Sequence, residues 1–159
     1  MKFTILMPIH DGVKLFELKR SVKSIINSTL LPNEFLILVD GDIQSLKKIF
    51  LIYMKKKYKF INLIFKKKMG LTKILNFGLN ISKYNIIARA DSDDVNDKFR
   101  FEKQINYFQS NDVDILGCNI FEVTNKTKKL KKMPSNPSFF NFLLFNPLNH
   151  MTVIFKKKK

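Results

Sequence analysis

Short apolar runs alternate with stretches of helical spacing along most of this chain. Residues 2–9, 34–39, 60–65 and 84–90 are rich in apolar and β-branched residues and predict buried strands. Between these runs the apolar positions recur at helical intervals, as Leu15, Leu18 and Val22 do, which predicts helices over 14–28, 43–58, 70–82 and 96–110. Strands that alternate with helices form βαβ units with right-handed crossovers. The pattern predicts a single α/β domain over 1–159, with a mostly parallel sheet flanked by helices.

Beyond residue 110 the alternation is less regular. It predicts a fifth strand over 113–121, a basic loop over 126–137, a short helix over 138–145 and a last strand over 151–155.

Six of the nine aspartates directly follow a predicted strand. These are Asp11 after the first strand, Asp40 and Asp42 after the second, and Asp91, Asp93 and Asp94 after the fourth. The carboxyl ends of parallel strands share one edge of a sheet, where open α/β sheets bind ligands. Crowded carboxylates repel one another unless a cation lies among them, and Mg²⁺ and Mn²⁺ take oxygen ligands. We therefore expect a metal-linked site for an anionic ligand; the alternative is a solvated acidic turn that caps the next helix through Asp94 or Asn96.

The strongly positive charge of the chain bears on whether it binds nucleic acid or a membrane. The net charge of +16 comes from 26 lysines and only 3 arginines, and such a charge favours nucleic acid or an anionic membrane face. An AT-rich gene is a competing cause, because Lys, Asn, Ile and Phe make up 75 of the 159 residues. The lysines form scattered clusters with few arginines, so nucleic acid is not an expected partner.

The single Cys118 leaves no internal disulfide or zinc cluster. No apolar run reaches about 20 residues, the length of a membrane-spanning helix. Both features fit a cytoplasmic protein.

Several familiar site motifs are missing from the sequence. No glycine-rich dinucleotide motif follows the first strand, and neither a Walker-type Gly-Lys-Ser/Thr nor a nucleophile elbow occurs. The two histidines, His10 and His150, are far apart in sequence, and a lone histidine is more often a structural hydrogen-bonding group than a catalyst.

An ordered set of motifs resembles family 2 glycosyltransferases with the nucleotide-sugar-binding GT-A fold. The motifs are Met7-Pro8-Ile9-His10, Leu38-Val39-Asp40-Gly41, the stretch from Gly70 to Leu79, Ala88-Arg89-Ala90-Asp91-Ser92-Asp93-Asp94, Phe99-Arg100-Phe101-Glu102-Lys103-Gln104 and Asp114-Ile115-Leu116-Gly117. The segment from Asn146 to Lys156 resembles the amylovoran-type branch of bacterial surface-polysaccharide transferases. Asp-x-Asp alone is a weak signal, but the ordered set is specific. His10-Asp11 departs from the Tyr-Asn that the family often has there.

The resemblance implies roles for matching residues. Pro8, with its neighbours Ile9 and His10, would line the nucleotide base pocket, and Asp40 would meet the base or ribose. Asp91 and Asp93, on either side of Ser92, would form the pair that holds the nucleotide and its Mn²⁺ or Mg²⁺, with Asp94 as a further metal ligand. Lys73 and Arg89 would help to bind the diphosphate, although ordinary surface charge is an equal alternative. Asn149 and His150 would lie on the acceptor side.

The resemblance also sets the expected function. It implies transfer of a sugar from a nucleotide-diphosphate sugar, such as a UDP-sugar, to a glycan or lipid-linked acceptor. The positive charge separately favours peripheral contact with the anionic inner face of the cell membrane. The family's catalytic base normally lies in the acceptor half, so we expect a donor half here, with the acceptor half largely missing after residue 155. The alternatives are a truncated non-catalytic nucleotide-binding fragment or subunit, a nucleotidyltransferase with a similar sheet, and a basic nucleic-acid binder.

Overall fold

The computed structural model describes residues 1–124 and 127–157, and a six-stranded sheet forms its centre. The strands are β1 Phe3–Ile9, β2 Glu34–Asp40, β3 Ile61–Lys66, β4 Ile86–Arg89, β5 Ile115–Leu116, β6 Ile120–Val123, β7 Lys128–Lys131 and β8 Ile154–Lys156. The helices are α1 Leu15–Ile26, α2 Ser45–Lys57, α3 Leu71–Ile81, α4 Arg100–Ser110 and α5 Phe139–Leu144. The eight elements from β1 to α4 alternate as predicted, which confirms the α/β class.

The order of the sheet is β3-β2-β1-β4-β8-β5. The first four strands of the chain are parallel, with Ile5 opposite both Phe35 of β2 and Ala88 of β4, while β8 runs antiparallel to β4 and β5. The chain moves outward from β1 to β3 and then returns to the other side of β1 as β4. This reversal makes the carboxyl ends of β1 and β4 the topological switch point, where such sheets bind their ligands.

Right-handed crossovers explain how the helices divide between the two faces of the sheet. Because the chain reverses direction after β3, the crossover helix α3 covers the opposite face from α1 and α2. One face carries the larger core, in which Phe3 of β1 contacts Phe101 of α4 with ring centroids 5.9 Å apart. The other face carries a smaller core, where Ile74 of α3 packs with Leu6, Leu38 and Ile87.

The predicted strand over 113–121 is wrong as a single element. The chain breaks after β5, where the Cys118 N–H donates to the Thr152 hydroxyl at 3.1 Å, and β6 then leaves the main sheet. Strand β6 pairs with β7 in a separate antiparallel hairpin, with Phe121 opposite Leu130.

Two further element predictions need correction. The predicted basic loop over 126–137 contains β7, because backbone hydrogen bonds to β6 form a strand there independently of the side chains. Residue 126 of that loop lies outside the described residues. The predicted last strand over 151–155 begins later, as β8, because a 3-10 turn over His150–Thr152 precedes it. The Thr152 hydroxyl holds that turn by donating to the Asn149 carbonyl at 2.8 Å. The predicted short helix is present as α5.

Within the described ranges, no helix is both long enough and apolar enough to cross a bilayer.

Candidate functional site

Four loops meet at the edge of the sheet formed by the carboxyl ends of β1, β2, β3 and β4. They carry all six of the aspartates that follow predicted strands. Asp11, Asp40 and Asp42 line one cavity, while Asp91, Asp93 and Asp94 lie in the loop after β4. The predicted convergence on one sheet edge is therefore present, and it divides into two neighbouring groups.

The first cavity lies beyond the ends of β1, β2 and β3 and has a volume of about 680 Å³. Such a volume is typical of small-molecule sites. Its lining combines aspartates with His10, the aromatic ring of Phe65 and the lysines Lys48, Lys66, Lys67 and Lys68. The Lys48 ammonium lies 5.4 Å from the centre of the Phe65 ring. A flat aromatic surface beside cations and carboxylates suits a ligand with both a planar ring and anionic groups.

The loop after β1 is fixed by Lys47 of α2, a lysine that is almost completely buried. Its ammonium donates to the Asp11 carboxylate at 2.9 Å and also to the Asp11 carbonyl. The Gln44 N–H donates to the same carboxylate oxygen at 2.9 Å. The hydrogen bond from Lys47, and then that from Gln44, lower the pKa of Asp11. This contact joins two of the loops that line the first cavity.

Asp40 joins the end of β2 to the loop that follows β3. One of its carboxylate oxygens accepts the Met69 N–H at 2.7 Å, and the other accepts the Gly70 N–H at 2.9 Å. Gly70 has φ +90° and precedes the first residue of α3. The Asp40 carboxylate therefore holds the amino end of α3, where negative charge is favourable.

The loop after β4 places Asp91 between two basic side chains. The Arg89 guanidinium donates to one Asp91 carboxylate oxygen at 2.5 Å, and the His150 ring lies 3.2 Å from the other. The Ser21 hydroxyl of α1 donates to the Asp91 carbonyl at 2.8 Å. Asp91 thus connects the strand end, α1 and the 3-10 turn in one cluster.

Asp93 and Asp94 differ in their surroundings. Asp93 is exposed, whereas Asp94 is half-buried. Burial, and then the neighbouring Asp93 and Asp91 carboxylates, raise the pKa of Asp94. The three carboxylates therefore repel one another, and a cation among them would relieve that repulsion.

A second cavity of about 530 Å³ lies between α3 and the turn that carries His150. Its walls are mainly apolar, with Leu71, Leu75 and Phe155 among them, and its polar side includes Arg89 and His150. In the described part of the chain, Arg89 Nε is the one buried side-chain nitrogen or oxygen without a hydrogen-bond partner. This unpaired nitrogen is buried next to the Asp91 cluster.

The other predicted site residues lie around these two cavities rather than inside them. Ile9 is buried in the larger core, Pro8 is half-buried on β1, and Ser92 is buried within the loop after β4. Lys73 is exposed in the first turn of α3. Asn149 begins the 3-10 turn, where its side-chain amide donates to the Cys118 carbonyl at 3.4 Å. Their binding roles stay predictions.

Sequence reasoning did not assign roles to Lys47 and Phe65 at the first cavity, or to Arg100 and Gln104 behind the loop after β4. In the sequence, Lys47 is one of several lysines in the segment that forms α2, and no neighbouring residue distinguishes it from the surface lysines. Arg100 and Gln104 belong to one of the motifs that carry the family resemblance, and that motif is the sequence feature that could have indicated a role for them.

The chemistry of the donor set indicates what kind of metal could bind. Among residues 1–124 and 127–157, no three His, Cys, Asp or Glu side chains form a group arranged to hold a metal ion. The exposed Asp93 beside the half-buried Asp94 instead suits Mg²⁺ or Mn²⁺ held by one or two carboxylates, with phosphate oxygens and water as the remaining ligands. The donor set present therefore suits a hard divalent ion, with oxygen ligands, rather than a soft one.

Solved structures with similar folds are glycosyltransferases of the GT-A type. The mannosyltransferase PcManGT from Pyrobaculum calidifontis, in complex with GDP-Man and Mn²⁺, superposes with a TM-score of 0.66 at 12% identity, over 98% of this chain and 44% of that one. TarS 1-349 from S. aureus, in complex with UDP-GlcNAc, gives a TM-score of 0.62 at 19% identity, over 79% of this chain and 36% of that one. This chain has the GT-A fold.

Curated relatives place the chain in a family. The amylovoran biosynthesis glycosyltransferase AmsE of Erwinia amylovora is 32% identical over 99% of this chain and 60% of that protein. The UDP-Gal:alpha-D-GlcNAc-diphosphoundecaprenol beta-1,3-galactosyltransferase of Escherichia coli is 34% identical over 98% of this chain and 58% of that protein. The chain thus spans about three fifths of the length of these relatives. The profile of glycosyl transferase family 2 matches residues 4–156, and the chain belongs to that family.

Proposed function

We propose that this chain forms the donor site of a glycosyltransferase and binds a nucleotide-diphosphate sugar at the carboxyl ends of β1, β2 and β4. The observation that carries the proposal is the gathering of six aspartates along the carboxyl edge of the sheet, around its switch point, in a protein with net charge +16. Membership of glycosyl transferase family 2 supports the reaction class, and the specific sugar, nucleotide and acceptor belong to this proposal.

The first cavity is the proposed nucleoside site. Phe65 offers a ring face for the base, His10 and Asp11 form one wall, and Lys66, Lys67 and Lys68 supply positive charge. Asp40, with both carboxylate oxygens already bound to backbone N–H groups, can still accept a ribose hydroxyl or base N–H through its remaining lone pairs. Pro8 and Ile9, at the end of β1, would support the wall that His10 and Asp11 form.

The loop after β4 is the proposed diphosphate site. Asp93, with Asp91 and Asp94, would hold Mn²⁺ or Mg²⁺, and Ser92 would keep the loop in place from its buried position. Arg89 lines the second cavity and would donate to a phosphate oxygen, and Lys73, exposed in the first turn of α3, would add a positive charge.

Transfer requires charge stabilisation as the bond from the sugar to the diphosphate breaks. A divalent ion bound there would neutralise the charge that develops on the departing diphosphate. Arg89 would donate to the same group, and His150 would face the acceptor from the second cavity, with Asn149 next to it at the start of the same turn. No described residue is assigned as the base that takes the acceptor proton.

The acceptor class follows by analogy with the relatives. The names of the two relatives include amylovoran biosynthesis and a GlcNAc-diphosphoundecaprenol acceptor. We therefore propose hexosyl transfer to a glycan or lipid-linked acceptor in bacterial surface-polysaccharide synthesis. A UDP-sugar is the proposed donor.

A second candidate is a non-catalytic nucleotide-binding subunit. It is favoured by the Asp91 cluster, in which Arg89 and His150 already occupy both carboxylate oxygens. Release of UDP from a UDP-sugar by the isolated chain would separate an enzyme from this binding-only protein.

Calorimetric titration with UDP tests the donor site. We expect binding in the presence of Mn²⁺, no measurable binding in its absence, and at least a tenfold loss of affinity in Asp93→Asn. Asp112→Asn is the matched control, because Asp112 is a fully exposed aspartate that pairs with Lys156 on the surface. A folded chain that binds neither UDP nor GDP under any of these conditions would contradict the proposal.

We also propose that the protein is cytoplasmic and lies peripherally on the anionic inner face of the cell membrane. The support is its positive charge, since lysines near such a surface each add about 1 kcal/mol of attraction. Sedimentation with anionic vesicles at low salt tests this contact, and a chain that stays in the supernatant would rule it out.

A further inference from the structure

Helix α4 carries a buried cation with no direct carboxylate partner among the described residues. Arg100 is 8% exposed, and its three hydrogen-bond acceptors are all neutral oxygens. Burial lowers the pKa of its guanidinium to about 10, so the group stays charged near neutral pH. A buried charge costs stability unless its hydrogen bonds compensate, and an apolar residue in its place is often equally stable. Packing alone therefore does not account for an arginine at this position.

The acceptors of Arg100 lie at both ends of the loop that carries the aspartates. One terminal nitrogen donates to the Arg89 carbonyl at 2.7 Å, before the loop, and the other donates to the Asn96 side chain, after it. Asn96 is also fixed from α1, because the Ser24 hydroxyl accepts its N–H at 3.0 Å. A planar guanidinium with several fixed donors can hold two such points at a set separation, whereas an ammonium cannot.

Gln104, one turn further along α4, extends this contact to the turn that carries His150. Its side-chain oxygen accepts from Arg100 Nε at 3.0 Å, which points its amide nitrogen at the carbonyls of Thr152 at 2.9 Å and Leu116 at 3.4 Å. Thr152 closes the 3-10 turn in which His150 contacts Asp91. One hydrogen-bond chain thus runs from the aspartate loop through α4 to the acceptor-side turn.

We propose that Arg100 and Gln104 are positioning residues that keep the aspartate loop and the His150 turn in register, so that Asp91 meets Arg89 and His150 together. This inference rests on the proposed function for its consequence, which is tighter nucleotide binding in the presence of Mn²⁺. The contact of Asp91 with both Arg89 and His150 is present in the protein without any ligand.

Gln104→Glu tests the link with little change in shape. The glutamate still accepts from Arg100, but it cannot donate to the Thr152 and Leu116 carbonyls. Asn106→Asp is the matched control, because Asn106 is an exposed residue of the same helix and undergoes the same amide-to-acid change. Arg100→Lys is the second variant; it keeps the charge and loses the planar set of donors. It keeps the test decisive should Gln104→Glu fail to fold.

The first readout needs no ligand. In NMR spectra of the free protein, we expect Gln104→Glu or Arg100→Lys to shift the signals of the His150 ring and of the amides over 91–94, while Asn106→Asp leaves them in place. Folded variants whose His150 and loop signals match those of the control would overturn the inference.

The second readout is UDP affinity in the presence of Mn²⁺. We expect Gln104→Glu to weaken it by about tenfold, and to add little further loss in a His150→Ala background, because both changes break the same link. Equal losses in both backgrounds would show that Gln104 acts independently of His150 and would overturn the proposed link. If the wild-type chain binds no nucleotide, the proposed function fails, whereas the NMR comparison still decides whether Arg100 and Gln104 set the register.

Discussion

Asp11 gains hydrogen bonds on folding that favour its ionised form. Lys47 and the Gln44 N–H both donate to it, and these hydrogen bonds lower the pKa of the Asp11 carboxyl group from its ordinary value. A carboxyl group whose pKa falls on folding stabilises the fold above its unfolded pKa, and that stabilisation is lost as the pH falls through the folded value. We expect Asp11→Asn to melt at a lower temperature than wild type at pH 7, with the difference shrinking towards about pH 3.

Thermal melts at both pH values measure the Asp11 effect. Asp112→Asn is again the control, since its exposed ion pair should contribute little at either pH. A difference between Asp11→Asn and wild type that is the same at both pH values would show that lost packing, rather than ionisation, is the cause.

Gly70 is required by its backbone angles and not by lack of space. It has φ +90° and ψ 159°, and a Cβ added there would meet nothing within 4 Å. Side chains rarely tolerate this region, so we expect Gly70→Ala to lower the free energy of unfolding by about 1–3 kcal/mol. Urea denaturation measures this cost, and an unchanged midpoint for Gly70→Ala would refute the strain argument.

Asp40→Asn in the Gly70→Ala background should lower stability further, because it weakens the hydrogen bond between the carboxylate and the backbone N–H of residue 70.

At the residue level, the sequence was informative where chemistry is concentrated in one segment. Asp91, Asp93 and Asp94 stand out because three carboxylates within four residues are unusual after an apolar run. The partners of Asp40 and Asp11 were not predictable in the same way. Met69 and Gly70 contact Asp40 through backbone N–H groups, and Lys47 looks like any other lysine until the fold buries it.

Helix α3 packs on the sheet through a glycine. A Cβ at Gly78 would overlap the Leu38 side chain and lie 3.3 Å from Leu6 Cδ2. Overpacking of this kind costs about 1–3 kcal/mol, while alanine gains about 1 kcal/mol in helix propensity. We expect Gly78→Ala to be destabilising overall in urea unfolding, and Gly78→Ala combined with Leu38→Val to recover part of the loss.

Asn80→Ala provides the comparison for Gly78→Ala, because Asn80 is exposed on the same helix and shows the propensity gain without a packing cost. Equal or greater stability of Gly78→Ala would mean that Leu38 moves aside freely.

Element by element, prediction succeeded where a hydrophobic face had to be buried. β1 to β4 and α1 to α4 were recognisable because each buries apolar residues in one of the two cores. β7 was invisible for the opposite reason: all four of its residues are exposed, and only its backbone pairing with β6 makes it a strand. The short β5 was merged with β6, since no side-chain pattern marks the break at Cys118.

At the scale of the whole molecule, two segments that follow one another in the chain expose lysines and apolar side chains to solvent. Strand β7 presents Lys128, Lys129 and Lys131 to solvent, and α5 follows it with no buried residue. Phe139 and Leu144 of α5 are 72% and 81% exposed. Lysines beside apolar side chains complement an anionic bilayer, because charge and apolar contact then act together.

This arrangement predicts which surface would meet a membrane. Replacing Lys128, Lys129 and Lys131 by glutamine should weaken binding to anionic vesicles by up to two orders of magnitude, at about 1 kcal/mol for each lysine. Replacing Lys55, Lys56 and Lys57, the exposed lysines in the last turn of α2, removes the same charge and should have a much smaller effect. Vesicle sedimentation at low and physiological salt measures both, and binding should weaken as salt rises. Equal losses from the two triple variants would mean that net charge alone drives the contact, and β7 with α5 would then have no special part in it.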